Sequence, residues 1–404
     1  MHKVEHVKHF YWLLLCGLLA TAILPIQRLN AATSVQAEPI KIGMSAAFSG
    51  RAERLGTDFR AGSELVFAQI NHAGGIAGRP IQLLSFDDGY EPLQTVANTR
   101  QLIFEHQVLA LFGYIGTPTS HAVLPLLRRM QIPFIAPLSG ADILRQAEDG
   151  FIYNFRASYA QEADAQIRYL VDERQFRKIG LLIQADEFGA SVERNFLSEL
   201  QKRQLTPVVI SRFQRNSHDL AAAVNKLVAH RPDVVLTVGT YQMIFDAIQL
   251  GAAQKFQPVY SVVSFTGVSK LTSLLAQQPQ HQVLASMVMP DPEQSTLSLV
   301  QAYQQQLRVQ RGLTASASDT TLFNDVALEG FAAATILVQA LQSCAQTLTR
   351  ACLMQALPQQ PLYDFKLDYR PARHQASQQI FLVWLKQQRL QPIEHASAEL
   401  PHRD

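Results

Sequence analysis

The sequence predicts an α/β protein of two lobes, each a parallel sheet flanked by helices. Three observations predict it. Residues 71–92 contain the end of an amphipathic segment, a turn through Gly74, Gly75 and Gly78, and the apolar run 81–86. The acidic turn Asp87-Asp88-Gly89 follows, and then Pro92 at the start of a new helical pattern. Helix, turn, strand, turn and helix in one short interval is the unit from which parallel sheets are built. The same alternation restarts near residue 157, and two such sets imply two open sheets rather than one very wide one. Residues 108–113 are too uniformly apolar for a half-exposed strand and suit a central parallel one.

The elements follow in order. A strand at 40–46 opens into the loop Ala47-Phe48-Ser49-Gly50, where backbone can approach a ligand closely. Residues 55–70 carry Phe59, Gly62, Leu65, Val66 and Ile70 on one helical face. A helix spans 93–106, and the strand 108–113 leads into 113–120, a loop of glycines and hydroxyls before a helix to Met130. That helix start can receive an anion, or Thr117, Thr119 or Ser120 can simply cap it. A short strand at 132–136 gives way to the polar loop 137–141. Residues 154–159 read as a passage between lobes.

Helix 160–173, strand 178–183, helix to 200, strand 207–211, helix 218–229, strand 233–238 and helix 241–250 come next. Strands at 259–264 and 284–289 complete the second set. Helices are expected at 296–309, 323–341 and 351–357, with Asn324-Asp325 either capping the second of these or meeting the site. Alternation at 363–365, 367–369 and 380–385 predicts strands or a terminal hairpin, and the polar chain after Ile393 is expected to fray. Loops fall at 277–282 and 358–361.

A chain of 404 residues, 48% apolar and only 17% charged, has enough material for two sizeable cores. Residues 1–37 stand apart: Lys3 and Lys8 precede the apolar run 10–20, and Val35-Gln36-Ala37 fits a small-x-small cleavage site. They read as an export signal cut after Ala37. Leu15 before Cys16 argues against lipidation there. Removing Lys3, Lys8, Arg28 and Glu5 brings the formal charge from +2 to zero, so no nucleic-acid surface is expected. No apolar stretch beyond the signal reads as long enough to span a bilayer. Cys344 and Cys352, eight residues apart in an exported chain, are expected to form a local structural disulfide.

Enzymatic signatures are missing. There is no Gly-x-Ser-x-Gly elbow, no phosphate loop and no paired histidines of hydrolase spacing. His72, His106, His121, His218 and His281 are scattered over helix ends and loops. Asp87, Asp88, Asp186 and Glu187 form a carboxylate set only if the lobes face each other; a turn or cap role serves the first two equally well. No cofactor or metal is called for. Convergent loops of two sheets make a binding cleft instead.

The order of residues 71–80, Asp87-Asp88, Pro92, 113–120, 135–141 and Phe155-Arg156 resembles the periplasmic substrate-binding proteins of branched-chain amino acid transporters, across about residues 40–390. The resemblance implies a type 1 periplasmic binding protein fold with three interlobe crossings. Lobe 1 would comprise 38–156 and 290–360, and lobe 2 157–289 and 361–404, hinged near Ala157 and Pro290. It implies a monomeric periplasmic protein that closes on a small solute and delivers it to the membrane permease of an ABC importer, or alternatively one that signals occupancy to a membrane receptor. The implied ligand-binding residues are Phe48, Tyr114, Gly116, Thr117, Leu138, Ser139, Gly140, Phe188, Tyr241 and Thr266. Thr117 falls at the carboxylate-holding hydroxyl. Gly140 stands where the family has threonine, Phe188 where tyrosine is common, and Thr266 where an acid meets the α-ammonium. A buried ammonium needs an acceptor, so strict leucine, isoleucine or valine binding is not expected. Amides, organic acids and aromatic acids fit at least as well. Glu162 and Asp186 are the substitute acids that only the fold can place.

Overall fold

The computed structural model describes residues 38–278, 280–312, 323–386 and 389–393. The signal reading of 1–37 and the tail after Ile393 lie outside them.

Strand β1 (Ile40–Ala46) passes through a short 3-10 turn (Gly50–Ala52) into helix α1 (Glu53–His72). β2 (Ile81–Asp87), α2 (Pro92–Phe104), β3 (Ala110–Phe112), α3 (Thr117–Met130), β4 (Phe134–Ile135) and β5 (Ile152–Tyr153) follow. These strands make a wholly parallel sheet in the order β2-β1-β3-β4-β5. The reversal of order at β1 and β3 opens a crevice between the loops that leave their C-terminal ends. Residues 47–50 and 113–117 occupy it.

The second set runs α4 (Tyr159–Ile167), β6 (Ile179–Gln184), α5 (Glu187–Lys202), β7 (Val209–Phe213), α6 (Ala221–His230), β8 (Val234–Val238), α7 (Tyr241–Ala253), β9 (Val259–Val262), α8 (Val268–Leu274) and β10 (Val283–Met287). The chain then forms α9 (Ser298–Gln310), α10 (Asp325–Ser343) and α11 (Arg350–Ala356), and returns as the hairpin β11 (Phe381–Lys386) and β12 (Arg389–Pro392). The second sheet reads β12-β11-β10-β9-β8-β6-β7, parallel except for the antiparallel hairpin at its edge. Its reversal at β6 and β8 places the Phe188 and Tyr241 loops at the matching crevice. The architecture is thus two helix-flanked sheets joined by three crossings, near 154–158, 288–297 and 361–380.

Two of those crossings run side by side. Asn154 N donates to His374 O (2.7 Å), Ala376 N to Asn154 O (2.8 Å) and Ser377 N to Phe155 O (2.9 Å). Tyr153 stacks on Tyr369 with centroids 5.8 Å apart. These bonds explain one departure from the sequence reading. Residues 362–369 do not pair as strands; they bury Leu362 and Phe365 along the crossing and lend Asp364 to the start of α9 (Ser298 N, 2.8 Å). Helix α8 was not anticipated at all; its seven residues sit between two loops. Asn324 caps α10 by accepting from Ala327 N (2.7 Å), whereas Asp325 reaches across to Val268 N and Ser269 N (3.1 Å each).

α10 is long and apolar enough by composition to cross a bilayer, contrary to the expectation from sequence, but it is a core helix, mostly buried against α1. Glycine permits that contact from both sides. A Cβ on Gly62 would lie 1.8 Å from Ala327 O, and one on Gly330 2.1 Å from Phe59 O. Backbone meets backbone, and any side chain at either position forces the helices apart. Just beyond α10, Cys344 and Cys352 are joined by a disulfide.

Candidate functional site

The paired acids after β2 build a turn. Asp87 Oδ1 accepts from Phe48 N (2.8 Å) and Gly89 N (3.0 Å). Burial is the largest single influence and raises that carboxyl, but the Ser49 hydroxyl and these amides together outweigh it and hold it below the usual range. Asp88 is buried, accepting from Ser45 Oγ (2.8 Å), Thr95 Oγ1 (3.1 Å) and Tyr90 N (2.9 Å); burial pushes it up to about 6. The product is Tyr90, held at φ +63° with its ring fully buried over Gly116. A Cβ on Gly116 would stand 2.3 Å from Tyr90 Cε2.

The loops after β3 and β4 are laced together. Leu138 N donates to Tyr114 O (2.8 Å) and Gly116 N to Leu138 O (3.2 Å). This sets the Thr117 and Ser139 hydroxyls 2.8 Å apart, both fully buried, with Ser139 Oγ also accepting from Ala141 N (3.2 Å). Thr117 is the first residue of α3, and its N-cap, Gly116, offers no side chain. Behind this loop lies Arg145. Its guanidinium donates to Ser139 O (3.2 Å), Ala141 O (3.0 Å), Arg156 O (3.0 Å) and Gln375 Oε1 (2.9 Å), and among the described residues no carboxylate pairs with it. Burial lowers its pKa to about 10, which still leaves it charged at neutral pH.

From the other lobe, Asp186 caps α5, accepting from Phe188 N (3.0 Å) and Gly189 N (3.2 Å), and from Gln184 Nε2 (2.6 Å). Phe188 is fully buried, with its ring 4.7 Å from Phe265 and 5.4 Å from Tyr159; Tyr90 lies 6.0 Å from Phe265. Four rings from both lobes therefore meet between the sheets. Tyr241, first in α7, accepts from Arg54 N across the gap (3.2 Å). It lines a 470 Å³ opening with Arg51, Arg54, His218, Gln242 and Lys270.

The gap is bridged at two edges. Arg51 pairs with Asp246 and meets His218 Nδ1 (3.0 Å). Arg215 and Asn216 reach Glu91 (3.1 and 2.8 Å), with Arg215 5.7 Å from the centre of the Tyr90 ring. At the floor, Glu162 is fully buried and accepts from Ser264 N (2.7 Å), Ser264 Oγ (2.8 Å) and Ser286 Oγ (2.5 Å). Arg156 lies 3.1 Å from Glu329 and donates to Ser264 Oγ (2.7 Å). Both candidate acids for an ammonium are thus engaged, Glu162 at this floor and Asp186 as a cap.

The sequence-derived residues divide. Gly116, Thr117, Leu138, Ser139, Gly140 and Phe188 gather around the interlobe rings, and Tyr241 stands at the rim. Tyr114 contributes backbone only: its hydroxyl meets Thr99 Oγ1 (2.9 Å) and its ring packs edge-on to Phe134 (5.1 Å) within the sheet's outer core. Thr266 spends its hydroxyl on Gly239 O (3.0 Å). Phe48 is half-buried under the Arg60 guanidinium, 4.3 Å from its centroid. Sequence reasoning missed Tyr90, Tyr159, Phe265 and Arg145. A tyrosine following Asp-Asp-Gly, and a glycine at 140 where a side chain was expected, were the available signals for two of them. Among the described residues no cluster of His, Cys, Asp and Glu forms a metal site.

A family model described as periplasmic binding protein matches residues 39–389. An amino acid binding protein of Pseudomonas aeruginosa is 25% identical over 227 residues, 56% of this chain and 59% of that one. The Leu/Ile/Val-binding protein of Escherichia coli K12 is 22% identical over 199 residues, 49% of this chain and 54% of that one. The chain thus spans little more than half the length of these curated relatives. The crystal structure of a possible leucine/isoleucine/valine-binding protein from Rhodopirellula baltica superposes with a TM-score of 0.81 at 29% identity, covering 90% of this chain and 98% of that one.

Proposed function

Because the chain belongs to the periplasmic binding protein family, we propose that it captures a small organic solute outside the cytoplasm. It then presents the solute to the membrane permease of an ABC-type importer, as a monomer and without chemistry of its own. The signal at 1–37 directs export. Lobe 1, residues 38–156 and 290–360, closes on lobe 2, residues 157–289 and 361–404, by hinging at the crossings near Ala157 and Pro290.

The observation that carries the reading is the buried hydroxyl pair of Thr117 and Ser139, beside Gly116 and Gly140, which the Tyr90 and Tyr159 rings cover. Neutral donors at a helix start suit a carboxylate, as does the Arg145 guanidinium behind them, which among the described residues donates only to neutral oxygens. Phe188 and Phe265 suit an apolar or planar body. Neither substitute acid is free for an α-ammonium: Glu162 and Asp186 are already bonded, and Thr266 spends its hydroxyl within its own lobe. The favoured solute is a small organic acid without a free α-ammonium, rather than leucine, isoleucine or valine.

A thermal-shift screen of the mature protein against amino acids, amides, aliphatic acids and aromatic acids tests this. The organic acids should raise Tm in proportion to log concentration. A response confined to α-amino acids would overturn the ligand class, and a folded protein silent to the whole library would overturn solute capture. Small-angle scattering with the best hit should show a smaller radius of gyration; an unchanged radius at saturation would remove the hinge.

A further inference from the structure

We infer that Tyr159 is a specificity-determining residue of this cleft, its hydroxyl serving with Thr117 and Ser139 as a third donor to the solute's carboxylate. The inference rests on the carboxylate reading above and adds to it a residue from the crossing.

Tyr159 opens α4, directly after the first passage between lobes. Ser158 caps that helix reciprocally with Gln161, which fixes the backbone at this point. Tyr159 N donates to Gly140 O (2.8 Å), so the crossing is tied to the same loop that carries Ser139. The ring then lies against the Gly140 Cα. A Cβ added there would be 2.5 Å from Tyr159 Cδ1 and 2.7 Å from Tyr159 N. A side chain at 140 would meet both the ring and the backbone of Tyr159, so only glycine fits beside this crossing. The polar group that a longer residue at 140 would offer is supplied instead from 159.

The hydroxyl at the end of that ring is poised and unused. Tyr159 is fully buried, and its oxygen makes no hydrogen bond of ordinary geometry, although the Thr117 hydroxyl and the Gly140 backbone lie close enough to act on it. A buried hydroxyl without a full partner is costly to keep, so the position implies an acceptor arriving from elsewhere. Burial pushes the phenol up to about 12, against the opposing pull of the Arg156 charge and the Thr117 hydroxyl. At neutral pH it is therefore a donor. Phe188 packs on the same ring at 5.4 Å. Glu162 is the carboxylate that acts on the phenol, and it is already taken by Ser264 and Ser286. An anionic acceptor fits this surround, and an ammonium, itself only a donor, does not.

The test compares wild type with Tyr159→Phe, which keeps the ring over Gly140 and removes only the oxygen. Calorimetric titration uses matched acid and amide probes, benzoate with benzamide and phenylacetate with phenylacetamide, plus isobutyrate with isobutyramide. Loss of a donor to a charged group should weaken the acids by about 10-fold or more, while the amides shift by less than about threefold. The Tm of the free variant should be unchanged or higher, because an unpartnered polar group is gone. Acids that bind wild type and bind Tyr159→Phe equally well, or a loss shared equally by acids and amides, would overturn the role of Tyr159 while leaving the cleft reading intact. Wild type binding none of the six probes would overturn both.

Discussion

The two faces of the cleft are made of different material. The face after β1, β3 and β4 consists of glycines, hydroxyls and a bound turn: Gly116, Thr117, Ser139 and Gly140 bring backbone and small donors close to the gap. The face after β6, β8 and β9 is ring and cap, with Phe188 and Phe265 wholly buried and Asp186 spent on its own helix. The difference teaches a division of labour. In the proposed function the first face orients the solute's polar end with backbone and small hydroxyls. The second covers an apolar body with side chains that are also core. Substitutions should therefore separate binding from stability on one face and couple them on the other.

The largest expected effect tests the coupled face. Phe188→Ala removes a ring in contact with Phe265 and Tyr159, and should cost about 3–5 kcal/mol of folding stability along with binding. Urea denaturation without ligand reads the first and calorimetry the second. A variant that keeps its stability but loses binding would make the second face as separable as the first.

Next comes the floor the two faces share. Glu329 is pushed up to about 7 by burial, against the attraction of Arg156. An acid whose folded pKa exceeds its unfolded value adds stability below the unfolded value near 4.5 and loses it as pH rises through 7. At about 1.4 kcal/mol per unit, wild type should lose on the order of 3 kcal/mol from this group between pH 4.5 and 7.5. Glu329→Gln should flatten that limb. An identical pH slope in the variant would mean that Glu329 stays ionised beside Arg156 throughout.

The separable face carries a smaller effect. Thr117→Val keeps the shape and removes the partner of Ser139. Affinity for the screened acid should fall by about 10- to 100-fold, the worth of a hydrogen bond to a charged group, with stability reduced by less than Phe188→Ala reduces it. Equal losses in both measurements would erase the contrast between the faces.

The division also explains what the sequence could disclose. Most of the strand and helix order was readable because period and turn chemistry are local, the short α8 being an exception; so were Asp87 and Asp88 as turn builders and Phe188 at the start of its helix. Tyr90 and Tyr159 were not, because each is defined by what it covers: Gly116 lies 26 residues from the first and Gly140 19 from the second. Arg145 looks like any surface arginine until a crossing more than 200 residues away supplies Gln375. Tyr114 misled in the opposite direction. It sits in the right loop, but its side chain points into the sheet's core, a matter of pleat direction that a loop sequence does not encode.

The smallest effect belongs to the edges that hold the faces together. Arg215 joins Glu91 of the opposite face at 3.1 Å, lies near the Tyr90 ring, and also touches Asp186 at 3.4 Å. Glu91 is largely in solvent, so this bridge belongs with surface ion pairs, worth about 0.2–1 kcal/mol and screened by salt. Arg215→Ala should thus raise the solute's off-rate by about two- to fivefold and leave its on-rate nearly unchanged, since the bridge forms only when the lobes meet. Stopped-flow at low and high salt reads both rates, and the wild-type advantage should shrink at high salt. A slower on-rate with an unaltered off-rate would show instead that Arg215 attracts the solute while the cleft is open, and the contrast between orienting and covering faces would then need a third, steering component.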